Sequence, residues 1–390
     1  MRIYFDHNAT SPLHPEVAAL MARLLTDAFG NPSSVHTFGQ RAKAVLDEAR
    51  SQVAALVDAE PGDVVFTCGG TEADNFAIRG AAEAMEPAGR KHLIASSIEH
   101  EAVLTTLKAL ERRGWSTTLL PVGHSGIVEP DALGAAMRDD TALVSVMHAN
   151  NEIGTIQPVR ELAAIAHERG ALFHTDAVQS VGKIPVSARE LGVDMLSLAG
   201  HKFNGPKGTG ALWIKRGTRL TATMTGGRQE RNRRAGTENV PALAGLGLAS
   251  RIAAEKIRAD GRGPETLRAL RDRLEAAILA SVPDSALNGA REQRVPNTTN
   301  ISFEGIEAES LLIALDLEGV AVSTGSACSS GSLEPSHVIK AMGLPHHRGT
   351  SSIRFSLGLG STEADVDFVA ATLPELVNKL RALTGRARKL

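Results

Sequence analysis

The residues able to do chemistry in this chain stand at the ends of apolar runs. Lys202 lies in Ser197-Leu-Ala-Gly-His-Lys-Phe-Asn-Gly-Pro-Lys-Gly-Thr-Gly210, between strand-like runs at 193–198 and 211–214. Glycines at 200, 205, 208 and 210 let a ligand come close to the backbone. A desolvated lysine beside a cation such as His201 loses its proton readily, as a Schiff-base amine must. A surface lysine in a glycine-rich loop is the bland alternative. Asp176 follows another strand-like run, in Phe173-His-Thr-Asp-Ala-Val-Gln179, 26 residues before the lysine. Paired with that lysine, it suits holding a pyridinium N–H so that the ring acts as an electron sink. An Asp closing a turn is the competing reading. A metal pair with His174, which alternates onto the same face, is a third.

Three further residues carry sharper and blander readings. His100, in Ser97-Ile-Glu-His-Glu101, begins a helix; in a site it could stack on a flat ring and move protons near neutral pH. Cys328 lies in Ser323-Thr-Gly-Ser-Ala-Cys-Ser-Ser-Gly-Ser332, where almost nothing is larger than threonine. Such a segment cannot bury itself, which predicts a movable loop bearing a nucleophilic thiol. Cys68, by contrast, ends an apolar strand and reads as packing. Arg354 interrupts the apolar run Ser351-Ser-Ile-Arg-Phe-Ser-Leu-Gly358, so it must face a carboxylate, either a structural partner or a substrate α-carboxylate.

The elements that position these groups alternate. Helix 39–59 is followed by strand 63–67 and the turn Cys68-Gly-Gly-Thr-Glu72, whose free N–H groups and hydroxyl at Gly70 and Thr71 suit a phosphate. Thr71 also reads as an ordinary N-cap with Asp74 at the third helical position. Strands at 92–97, 117–121, 142–147 and 171–175 alternate with helices at 99–113, 130–138 and 158–169. That spacing predicts an α/β fold with a mostly parallel sheet covered on both faces, binding ligands at strand carboxyl ends. Thr71, His100, Asn150-Asn151-Glu152, Asp176 with Gln179, and His201-Lys202 all fall there. A basic glycine-bearing loop at 225–237 and a helix at 239–260 lead to a break at 261–264. The remainder reads as a smaller α+β unit. The expected division is a large unit over 14–257 and a small one of 1–13 with 258–390, which carries the cysteine loop at about 323–333.

Forty-two basic against 44 acidic residues exclude a general nucleic-acid or membrane-surface binder. Two distant cysteines make no disulfide framework and point to a reducing compartment. No signal peptide or membrane span is read, so a cytoplasmic protein is expected.

Taken in order, these segments resemble the cysteine desulfurases of the NifS/IscS-like class, within the class-V aminotransferases. The likeness runs nearly end to end: Asp6-His-Asn-Ala-Thr-Ser-Pro12, Phe29-Gly-Asn-Pro-Ser-Ser34, Gly70-Thr-Glu72, Glu99-His100, His148-Ala-Asn-Asn-Glu-Ile-Gly154 and His174 to Lys183. It continues through Gly200-His-Lys202, Gly205-Pro-Lys-Gly208, Arg234-Ala-Gly-Thr-Glu-Asn239, Ser326-Ala-Cys328, Leu333-Glu-Pro-Ser-His337 and Ser352-Ile-Arg-Phe-Ser356. The resemblance implies a pyridoxal 5'-phosphate enzyme of fold type I, aspartate-aminotransferase-like, with a seven-stranded sheet in its large domain, working as a homodimer. By its pattern Lys202 holds the cofactor, Asp176 pairs the ring nitrogen, Gln179 and Asn151 contact ring substituents, and His100 stacks on the ring. Gly70, Thr71 and His201 take the phosphate, with Thr237 from the partner subunit; Arg354 and Asn151 hold the substrate carboxylate. Ala199 departs from the pattern, standing where many relatives bond the phosphate through Ser or Thr. The implied reaction turns L-cysteine into L-alanine, leaving a persulfide on Cys328. Its sulfur goes to an acceptor such as an iron–sulfur scaffold protein, and Cys328 could transiently ligate the nascent cluster. A selenocysteine lyase or an aminotransferase would use Lys202 and Asp176 equally well. From another class, a sulfur-relay or scaffold protein with a decayed site would lack the cofactor.

Overall fold

The computed structural model describes residues 2–258, 262–324, 336–383 and 385. Cys328 and most of the expected loop around it lie outside the described residues.

Twelve strands among the described residues run in chain order as β1 (Ile3–Tyr4), β2 (Val64–Thr67), β3 (His92–Ser96), β4 (Ser116–Leu120), β5 (Thr141–Ser145), β6 (Leu172–Asp176), β7 (Met195–Ala199), β8 (Gly210–Ile214), β9 (Ser285–Leu287), β10 (Thr298–Phe303), β11 (Val320–Ala321) and β12 (Ser352–Ser356). Seven of them form one sheet in the order β2-β8-β7-β6-β5-β3-β4. Only β8 runs against its neighbours β2 and β7; the other pairings are parallel. The sheet is the mostly parallel one expected.

Both of its faces are covered, which is why its strands read as continuous apolar runs rather than alternating ones. Val65, Leu93, Leu143, Met195 and Leu212 pack against helices Gly70–Met85 and Glu101–Glu111. Their alternate neighbours Phe66, Ile94, Val144, Phe173, Leu196 and Trp213 pack on the other face with residues of Thr37–Leu56, Val159–Glu168 and Val240–Arg258. Removing one such side chain completely from water contributes roughly 1.5–3 kcal/mol. Polar residues inside the sheet are paired: the ring of His174 lies between the hydroxyls of Ser145 and Ser197, 2.9 Å from each.

A second core gathers the antiparallel sheet β12-β10-β9 and the helices Arg262–Ser281, Ala308–Leu317 and Glu363–Leu383. β1 joins it by pairing parallel with β11.

Several expectations need correction. Helix Pro15–Asp27 was not read from the sequence; His14 caps it and Pro15 opens it, fixing φ where no N–H is needed. β9, only three residues long, was not read either. Helix Gly70–Met85 is capped by Gly69 at φ 156°, so Thr71 is not its N-cap. The same glycine turn carries Cys68 out of the strand: its side chain is exposed and not packing. Glu72 accepts its main-chain N–H at 2.7 Å.

Candidate active site

The strand ends converge on one cavity of about 370 Å³. β6 delivers Asp176 as its last residue. The register places Asp176 opposite Ser197 on β7, whose continuation through the turn Gly200–Lys202 delivers His201 and Lys202. The segment after β5 brings Met147 and Asn151, and His100 comes from the start of helix Glu101–Glu111. Gly70 and Thr71 open their helix on the same wall, and Arg354 of β12, from the three-stranded sheet, also lines it. Gly70, Thr71, His100, Asn151, Asp176, Gln179, His201, Lys202 and Arg354, expected from the sequence to share a site, all line this cavity. Thr237 is exposed and does not line it. Cys328 lies outside the described residues.

Lys202 Nζ donates to the main-chain oxygens of Asn8 at 2.7 Å and Ala9 at 2.9 Å. Asp176 Oδ1 accepts the Val178 N–H at 2.9 Å. Burial pushes the Asp176 carboxyl up, against the lowering effects of His100, the Val178 N–H and Lys202. Asp74, also buried and lining the cavity, is pushed well above the usual carboxylate range by burial and then by Asp176. The two carboxyls raise each other, because burial disfavours charge on both and two like charges in one cavity repel. His100 Nδ1 accepts the Ala102 N–H at 3.1 Å, which fixes the ring at the head of its helix. His201 is lowered to about 4 by burial and by Lys202, Lys207 and Lys183, so it stands neutral beside the amine.

Arg354 Nη2 bonds Asp6 Oδ1 at 2.7 Å and Nη1 bonds the Asn151 carbonyl at 3.0 Å, while its buried Nε has no partner among the described residues. Arg354 is therefore paired with a carboxylate, as one sequence reading expected, and it also lines the cavity.

His174 cannot serve as a metal ligand while its two ring nitrogens face Ser145 and Ser197, and among the described residues no group of three acidic, His or Cys side chains could hold a metal ion. The residues suit a flat heteroaromatic aldehyde bearing a phosphate. A Cβ on Gly70 would stand 2.7 Å from Val178 Cγ2, so only glycine leaves the wall open at the helix N-terminus, where N–H groups favour an anion. An amine, a carboxylate and an imidazole face the same space.

Asn8, Asp6, Asp74 and Lys183 were not picked out from the sequence as site residues. Asn8 and Asp6 belong to the first quoted segment and Lys183 ends another, but no spacing signal ties residue 8 to residues 183 and 202.

The aminotransferase class-V profile matches residues 3–369, and the chain belongs to that family. The cysteine desulfurase IscS of Methanosarcina thermophila is 50% identical over 382 residues, 98% of this chain and 93% of that protein. Among solved structures, a NifS-like protein matches with a TM-score of 0.90 at 35% identity, covering 97% of this chain and 100% of the other. SspA, solved in complex with cysteine, matches with a TM-score of 0.81 at 34% identity over 92% of this chain and 99% of its own. The family's cofactor is pyridoxal phosphate. No helix among the described residues is long and apolar enough to cross a membrane.

Proposed function

We propose that this chain is a pyridoxal-phosphate-dependent cysteine desulfurase that converts L-cysteine to L-alanine and holds the sulfur as a persulfide on Cys328. The observation that carries the site assignment is the convergence of Lys202, Asp176, His100 and Arg354 on one cavity. Lys202 holds the cofactor covalently, Asp176 serves the ring nitrogen, Gln179 and Asn151 the ring substituents, and Gly70, Thr71 and His201 the phosphate. Bound there, the cofactor supplies an electron-withdrawing ring conjugated to the substrate's α-carbon. Lys202 moves a proton at that carbon, and His100 moves protons near the substrate sulfur. Arg354 and Asn151 orient the α-carboxylate. The Cys328 thiolate attacks the substrate sulfur: an S–S bond forms, the Cβ–S bond breaks, and its electron pair goes to the carbon fragment, which takes up a proton to become L-alanine.

The terminal persulfide sulfur then passes to an acceptor protein, for which an iron–sulfur scaffold fits the reading. A second copy of the chain completes the site by contributing Thr237. Supporting a dimer, Phe29, Val35 and Phe38 are 70%, 89% and 58% exposed, and the two phenyl rings lie 5.2 Å apart. In this reading a unit over 14–257 holds the cofactor, and 1–13 with 258–390 supplies Arg354 and Cys328.

The test measures alanine and sulfide from L-cysteine with a thiol reductant, wild type beside Cys328→Ser. Equal amounts of both products, with sulfide dependent on Cys328, support the reading. A coloured enzyme that releases no sulfur but transfers amino groups to an oxo acid overturns it.

A further inference from the structure

We propose that Lys183 is a positioning residue that acts through Asn8 to hold the amine of Lys202 in place. This rests on the reading of Lys202 as the cofactor lysine.

The geometry is a closed ring of three residues, Lys183, Gln179 and Asn8. Lys183 Nζ donates to Gln179 Oε1 at 2.6 Å and to Asn8 Oδ1 at 2.7 Å, and Gln179 Nε2 donates to the Asn8 main-chain oxygen at 3.0 Å. Lys202 Nζ rests on that same oxygen. Asn8 is also tied to β12, to β10 and to the residue before β10. Its N–H donates to Ser356 Oγ at 3.0 Å, its Nδ2 to Thr298 Oγ1 at 2.8 Å, and its Oδ1 accepts Asn297 Nδ2 at 3.1 Å. The remaining Nδ2 hydrogen reaches the Asn151 carbonyl at 3.1 Å. Every polar atom of Asn8 is therefore engaged, which fixes the peptide whose carbonyl receives Lys202. Lys183 is the member of the ring that bonds the side-chain amide oxygens of both others.

Lys183 is buried, and burial, then Lys202, then Arg354, push its ammonium below the ordinary lysine range. Its Nζ donates to two side-chain acceptors, Asn8 Oδ1 and Gln179 Oε1, so its hydrogen bonds tie the two amides to each other.

The experiment uses full-length protein freed of cofactor. Lysines are trace-labelled with formaldehyde and cyanoborohydride, and the rate at Lys202 is read by mass spectrometry against exposed Lys207. Lys183→Met, Asn8→Ser and the double variant are compared with wild type. The expected result is a Lys202 rate raised about fivefold in each single variant, the factor that one net hydrogen bond is worth. The double variant should add little more, because the two residues act along one route. A Lys202 rate unchanged in Lys183→Met, or single effects that multiply in the double, overturns the proposal. If Lys183→Met does not fold, Asn8→Ser alone decides, and an unchanged rate there overturns it. Adding pyridoxal phosphate separates the underlying reading: failure to protect Lys202 from labelling fails the cofactor assignment, whatever the cofactor-free rates show.

Discussion

The guanidinium of Arg354 is held 2.7 Å from the Asp6 carboxylate, yet the same side chain lines the cavity that Lys202 and Asp176 share. Asp6 neutralises part of the arginine's charge and fixes its plane, which leaves the guanidinium oriented to receive a carboxylate bidentately. Lysine cannot reproduce that fork. Arg354→Lys should lower kcat/KM for L-cysteine by about 10- to 100-fold, through loss of a charge-assisted hydrogen bond, chiefly by raising KM. Asp6→Asn should have a smaller effect of the same kind. Steady-state alanine production over a range of L-cysteine concentrations measures both. An unchanged KM in Arg354→Lys refutes the carboxylate role.

Lys202→Ala should abolish the visible absorbance that a lysine-bound cofactor gives, while Cys328→Ala should keep it and lose sulfide release. Absorbance spectra of the two purified variants, alongside a sulfide assay, separate cofactor holding from sulfur transfer. Lys202→Ala with a wild-type spectrum removes the lysine assignment; normal sulfide yield from Cys328→Ala removes the thiol's.

Away from the cavity, stability should depend on one buried ion pair. Arg50 reaches Glu230 through two bonds of 2.7 Å, and Glu230 also accepts the Phe66 N–H at 2.9 Å. Glu230 holds this place at φ 46°, a left-handed conformation unusual for its type. Glu230→Ala should cost about 3–5 kcal/mol, because the Arg50 charge stays buried without its partner. Replacing both by methionine should recover much of that loss. Urea unfolding midpoints of the two variants beside wild type test it, and a Glu230→Ala protein within about 1 kcal/mol of wild type, on the order of an ordinary exposed pair, contradicts it.

What the sequence made legible is the set of groups that strand periodicity delivers. Lys202, Asp176 and His100 each follow an apolar run, so knowing that the sheet is parallel is enough to bring them to one edge. Asn8 is different. Among its partners are Lys183, Lys202, Asn297 and Ser356, brought together only by tertiary packing, and no local pattern reports that. Cys68 shows the opposite failure. Its apolar neighbours predicted burial, but it stands just past the end of β2, before the helix that Gly69 caps, and its side chain is exposed. Thr237 sits in a legible polar loop and is exposed.

Glu99 sets a pH dependence of stability. Burial raises its carboxyl from 4.5 to about 8, against the lowering effects of Ser96 and the Met147 N–H, and Asp176 adds to the rise. Oε1 accepts Ser96 Oγ at 2.5 Å and the Met147 N–H at 2.8 Å, while Oε2 has no partner among the described residues. Because the folded-state value lies above the unfolded one, the folded protein binds more protons between pH 4.5 and about 8. The stability from this group is fully present below pH 4.5 and is lost as pH rises through about 8. Glu99→Gln keeps an acceptor at Oε1 and cannot ionise, so it removes that slope. The Tm of the variant minus that of wild type should therefore increase by about 2 °C or more from roughly pH 6 to pH 9. Thermal unfolding followed by circular dichroism in matched buffers measures it. A difference that stays flat, or falls with pH, means that Glu99 is ionised in the folded protein at neutral pH and finds its compensation elsewhere.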